Sequence, residues 1–132
     1  MKQLLAEWRK FLKEGNELKV QKKPNGFTLD VYAGGSHVGQ YTHTREEERV
    51  RNFAEIFPEY RGKGHGTMML LAAIKAAEDL GIDFEEDSES LTPVMNSLYD
   101  ELDSSGSIHG WGGVWVISDI GKADLEEWLA ED

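Results

Sequence analysis

The chain has 132 residues, no cysteine, and a formal net charge of −11 from 25 acidic and 14 basic side chains. That length suits one domain with a core of its own, and the missing cysteine excludes disulfides, thiolate metal sites and a cysteine nucleophile while fitting a cytoplasmic location. The acidity argues against nucleic acid as a partner, which would call for a basic face, and suits a cationic partner or substrate, although it also serves solubility alone.

Residues 1–14 are charged throughout and lack the apolar segment of a secretory leader. Leu4, Leu5, Trp8, Phe11 and Leu12 recur at helical spacing, and Gly15 ends the pattern. The period then changes. Leu18 and Val20 alternate with polar neighbours in residues 17–23, and Pro24-Asn25-Gly26 signals a turn. Phe27, Leu29 and Val31 alternate next, Gly34-Gly35 turns again, and residues 37–42 form a third candidate strand. The charged residues 45–49 are expected as an exposed connection to a fourth strand at residues 50–57. These short links predict an antiparallel meander.

Helical pattern returns over residues 67–80, with Gly81 as the stop. Its apolar run, residues 68–74, is the longest in the chain and too short to span a bilayer, so no membrane partner is expected. Residues 82–84 read as a short strand, parallel to the fourth because a helical crossover joins the two. Thr92 suits an N-cap and Pro93 the first helical position, and Met95, Leu98, Tyr99 and Leu102 share one face of the helix that follows. A glycine-rich segment introduces a strand at residues 114–118, and residues 122–130 form a final helix. His37, His43, His65 and His109 have no metal-like spacing, and no metal is expected.

Residues 53–66 read FAEIFPEYRGKGHG. A strand ends, Pro58 stops its ladder, and Gly62, Gly64 and Gly66 follow at alternate positions before a long helix. Such a segment is an anion cradle. Glycines let the backbone approach a ligand, and a helix N-terminus offers free donors and partial positive charge. Arg61 and Lys63 add full charges, so a pyrophosphate is the natural guest. A Walker A loop would need Lys before Ser/Thr where His65 and Gly66 stand, and a dinucleotide fingerprint would need glycine in place of Thr67.

The run Arg61-Gly62-Lys63-Gly64-His65-Gly66, with its lead-in Ile56-Phe57-Pro58-Glu59-Tyr60, resembles the pyrophosphate loop of the GNAT family of N-acetyltransferases, Gln/Arg-x-x-Gly-x-Gly/Ala after the fourth strand. The resemblance covers about residues 50–102. It implies an α/β (α+β) fold: a mixed, mainly antiparallel sheet flanked by helices and split where the cofactor wedges in. It implies acetyl-coenzyme A as the acetyl donor. The donor would be held by the amides of Arg61, Gly62, Lys63, Gly64, His65 and Gly66 and by main-chain groups of Ile56 and Phe57. The Leu98-Tyr99 segment is similar to the family's helix tyrosine, so Tyr99 is the implied general acid for the departing thiolate. Glu55, on the fourth strand, is the implied base. Packing alone would equally account for Tyr99, and a solvated edge for Glu55.

The chain departs from the family in three places. Asn96 lies only three residues before Tyr99, where members carry an asparagine about two turns earlier, and is at best a marginal cofactor contact. Asp103-Ser104-Ser105-Gly106 replaces the usual Gly-Phe. One helix and a hairpin stand where two helices usually help to build the acceptor site. The implied acceptor is an amine, on a small molecule or on a protein lysine or N-terminus, and a homodimer is compatible with the sequence. The alternative is a non-catalytic protein of this fold whose acidic surface binds or inhibits a cationic protein.

Overall fold

A computed structural model describes residues 15–47, 49–85 and 93–130. The expected first helix and the Thr92 cap lie outside these residues. Strands β1 (Glu17–Lys23), β2 (Gly26–Ala33), β3 (Ser36–Glu46) and β4 (Arg49–Ile56) form one antiparallel sheet in that order. A short 3-10 turn, Pro58–Tyr60, leads to helix α1 (His65–Asp79). Helix α2 (Pro93–Ser104), the hairpin β5 (Ile108–Trp111) with β6 (Val114–Ile117), and helix α3 (Asp119–Ala130) complete the order. The result is the expected α+β architecture, with a mainly antiparallel sheet flanked by helices.

The alternation in β2 puts Phe27, Leu29 and Val31 on one face, all 0 % exposed. Each contributes about 1.5–3 kcal/mol by leaving water. They pack with Tyr41 of β3 and with α1 in one core. Helix α1 is apolar nearly all round, and Met69, Leu70, Leu71, Ala72, Ala73 and Ile74 are all buried. A helix of that kind belongs inside. It lies between the four-stranded sheet and the layer made by β6 and α3, touching both.

Three local expectations are corrected. The charged connection at residues 45–49 is mostly strand, because Glu46 pairs with Arg49 and Arg45 with Val50 across a tight turn at Glu47. The segment before β6 is itself a strand, since Gly112 and Gly113, with φ of 59° and 84°, make the two-residue turn of a hairpin. Residues 82–84 do not extend β4 as a parallel ladder. Phe84 makes an antiparallel bridge to Trp115 of β6, where the Trp115 amide donates to the Phe84 carbonyl at 2.8 Å. The four-stranded sheet therefore ends at β4, and a cleft opens beside it.

Candidate functional site

The loop between β4 and α1 is built from the strand end outwards. The Phe57 amide donates to the Val38 carbonyl at 2.9 Å, and Pro58, lacking an amide hydrogen, ends the ladder there. The 3-10 turn reverses the chain, with the Tyr60 amide on the Phe57 carbonyl at 2.9 Å. Arg61 folds back, and its Nε donates to the Ile56 carbonyl at 2.8 Å. That bond holds the guanidinium against the strand end and beside the loop.

Gly62 and Gly64 adopt φ of 80° and 81°, a left-handed conformation that side chains disfavour. No atom lies within 4 Å of where a Cβ would stand at either residue. The glycines are therefore set by backbone conformation and not by crowding, and the space above them is open. Gly64 is the N-cap of α1 and offers no side-chain cap. The first α1 amide to reach a helical carbonyl is that of Met68, on Gly64 at 3.4 Å, so the amides of the first turn have no intrahelical acceptor. With the partial positive charge of a 15-residue helix, this start favours an anion.

The loop opens into a cavity of about 560 Å³. Ala54, Glu55 and Ile56 of β4 form one wall, and Val94, Met95 and Leu98 of α2 face them. Thr67, Met69 and Leu70 of α1 lie between, Tyr60 stands at the loop end, and Tyr41 of β3 lies behind Ala54. An apolar trough ending in convergent donors suits a ligand with a long arm and an anionic head.

Of the residues singled out from sequence, Glu55, Ile56, Arg61, Gly62, Gly64, His65 and Gly66 line this cavity together. Lys63 is exposed beside the loop and outside the lining. Phe57 also lies outside it, its ring edge-on to His37 at 5.0 Å. Asn96 is exposed on α2 and does not line the cavity. Tyr99 is 2 % exposed and stacks on Trp115 at 5.5 Å and 16°, while its neighbour Leu98 forms the cavity wall. Sequence reasoning missed Tyr41, Ala54 and Val94 as wall residues. The first two come from adjacent strands, where they pair across the ladder, and no local motif marks them.

His65 begins α1 with its ring edge-on to Trp128 of α3 at 6.5 Å. Its Nδ1 is buried without a hydrogen-bond partner among the described residues. Partial burial and then the Lys63 charge hold its pKa below the ordinary imidazole value, so it presents a neutral ring to the loop at neutral pH. Among the described residues no three His, Cys, Asp or Glu side chains group as metal ligands would, and no helix is long and apolar enough to cross a membrane.

Comparison with curated proteins and with solved structures gave no match. A family model described as "Acetyltransferase (GNAT) family" matches residues 2–99, a span that holds the meander, the glycine loop, α1 and α2 as far as Tyr99. The chain therefore belongs to the acetyltransferase (GNAT) family.

Proposed function

We propose that residues 1–132 form one domain that transfers acetyl from acetyl-coenzyme A to an amine by direct attack. The observation that carries this reading is the joining of two features. An uncapped helix start behind two left-handed glycines opens into an apolar trough along β4. The first features match a pyrophosphate and the second a pantetheine arm. The amides from Gly62 to Gly66 and the Arg61 side chain would hold the phosphates. Ile56 and Ala54, on the terminal strand of the sheet, would lie along the arm.

Acetyl-coenzyme A supplies a thioester, an acyl group already activated towards an amine. The chain's own part is positioning and proton transfer. Glu55, half-buried on β4 and lining the cavity, would take the ammonium proton, directly or through water. Tyr99, buried and outside the cavity lining, would serve as acid to the departing thiolate only if its hydroxyl reached the cavity. The acceptor is an amine on a small molecule or on a protein lysine or N-terminus. A protein without cysteine that draws on a soluble metabolic cofactor fits the cytoplasm.

The test is calorimetry with coenzyme A, followed by acetyl transfer to a panel of amines. Glu55→Gln is expected to lower kcat about 10²-fold or more with little change in cofactor affinity. A Tyr99→Phe variant that keeps wild-type kcat would assign Tyr99 to packing alone. Absence of binding at about 1 mM coenzyme A would sink the whole reading. Binding without turnover on any amine would favour the non-catalytic alternative.

A further inference from the structure

Away from the glycine loop, towards the start of β4, a polar pair with a buried histidine stands within the β3–β4 ladder. His43 of β3 is 1 % exposed. Its ring stacks with Phe27 at 5.6 Å and with Phe84 at 5.0 Å. His43 Nδ1 lies 2.5 Å from Oδ1 of Asn52, its cross-strand partner on β4. The Asn52 Nδ2 donates in turn to the main-chain carbonyl of Glu85 at 2.9 Å.

The second bond orients the first. A carbonyl only accepts, so the amide nitrogen must face Glu85 and the amide oxygen must face the imidazole. That oxygen also only accepts, so the ring proton sits on Nδ1 and Nε2 is bare. Nε2 is buried and has no hydrogen-bond partner among the described residues. Burial disfavours a charged imidazolium by more than the Asn52 bond and the nearby Asp83 backbone favour it. The neutral Nδ1–H tautomer is thus specified by its surroundings.

Asn52, Ala54 and Ile56 share the inward face of β4 by strand alternation. Ala54 and Ile56 line the cavity and Asn52 does not, so the cavity begins one inward position beyond the Asn52 bridge. The neighbouring Arg45–Glu85 ion pair, at 3.0 Å, is part-exposed and adds little to the closure. We propose that Asn52, oriented by His43, is a positioning residue for the cofactor cleft. Its side chain holds β4 to the arm at residues 82–85 and so sets the width of the cleft beside Ala54. This rests on the reading of the cavity as the cofactor site.

Three measurements test it. Nitrogen NMR of the His43 ring at neutral pH should show a protonated Nδ1 and an unprotonated Nε2. The opposite tautomer, or an imidazolium, overturns the orientation argument. Without any cofactor, amide exchange at Ala54 and Ile56 should quicken in Asn52→Ala relative to Val31→Ala, a core variant of β2 that also loses stability. Equal exchange in the two overturns the positioning role. Coenzyme A affinity should fall about tenfold in Asn52→Ala and hold in Val31→Ala, and unchanged affinity in the Asn52 variant also overturns it. If Asn52→Ala does not fold, Asn52→Asp keeps the size, loses the donor to Glu85 and sets a carboxylate beside the imidazole, and the same exchange and affinity outcomes apply. A wild type that ignores coenzyme A defeats the cofactor reading, while the exchange result still judges the bridge.

Discussion

Gly64 caps α1 at φ 81° with nothing within 4 Å of its missing side chain. Gly64→Ala therefore meets no steric obstacle, only the conformational cost of the left-handed region, about 1–2 kcal/mol. Urea unfolding should register that loss, and calorimetry should show weaker coenzyme A binding, because the first-turn amides shift with the cap. His43 is a different kind of residue, one that stability depends on through its proton. Burial is the largest cause that holds its pKa below 6.5 in the folded protein; Arg45 acts in the same direction, while the Asn52 bond, the Asp83 backbone and Glu85 oppose it. As pH falls below about 6.5, the unfolded chain takes up a proton that the folded chain refuses. Stability is thus full above that pH and declines as pH drops towards the folded pKa. His65, shifted the same way, adds a share of its own. The urea midpoint, followed from about pH 7.5 to 5, should fall in the wild type and fall less in His43→Gln. The histidines are also where residue-level reading from sequence was weakest. Spacing could say that His43 belongs to no metal motif, but its role depends on Asn52, Phe27 and Phe84, which only folding brings together.

At the scale of elements, the end of β4 depends on a glycine in the strand beside it. A Cβ on Gly39 would lie 2.6 Å from both the Glu55 carbonyl oxygen and Ile56 Cδ1. Gly39→Ala should push the β4 terminus aside. The expected cost is about 1–3 kcal/mol in thermal unfolding, with cofactor binding lost alongside, since Glu55 and Ile56 are the cavity wall. The strands themselves were largely legible. Period-2 alternation and the turns at Pro24-Asn25-Gly26 and Gly34-Gly35 located β1, β2 and the start of β3 to within a residue or so. Charge hid the rest of β3. Residues 45–49 carry charged side chains that a strand tip tolerates, because Arg45 reaches Glu85 and Glu46, Glu47 and Arg49 are exposed. β5 was hidden by its glycines, which belong to the turn and to the space beside Trp115. The helix α1 was legible from Thr67 onwards and in fact starts at His65, inside the motif itself.

Across the whole molecule, charge is unevenly divided. Residues 1–75 hold nine acidic and thirteen basic side chains, whereas residues 76–132 hold sixteen acidic and one basic. The glycine loop lies in the basic part. An anionic cofactor should therefore bind more weakly as salt rises, and Arg61→Ala should flatten that dependence in a calorimetric salt series. The site was half visible in sequence for a reason of chain order. Its loop is contiguous, so residue types and spacing display it. Its walls come from Tyr41, Ala54 and Leu98, which are distant in sequence and meet only across the cleft. Among the described residues, finally, the sheet order leaves β1 and β4 without a neighbour on one side. β4 turns its free side into the cleft, beneath the Asn52 bridge. β1 turns its free side to water, with Val20 45 % exposed and Lys19, Lys22 and Lys23 exposed around it. A foreign strand could add to β1 only by crowding its own charges among those lysines. Among the described residues the β4 edge is thus sheltered by the cleft and the β1 edge is defended by charge, so the fold resists growing into fibrils at either end of its sheet.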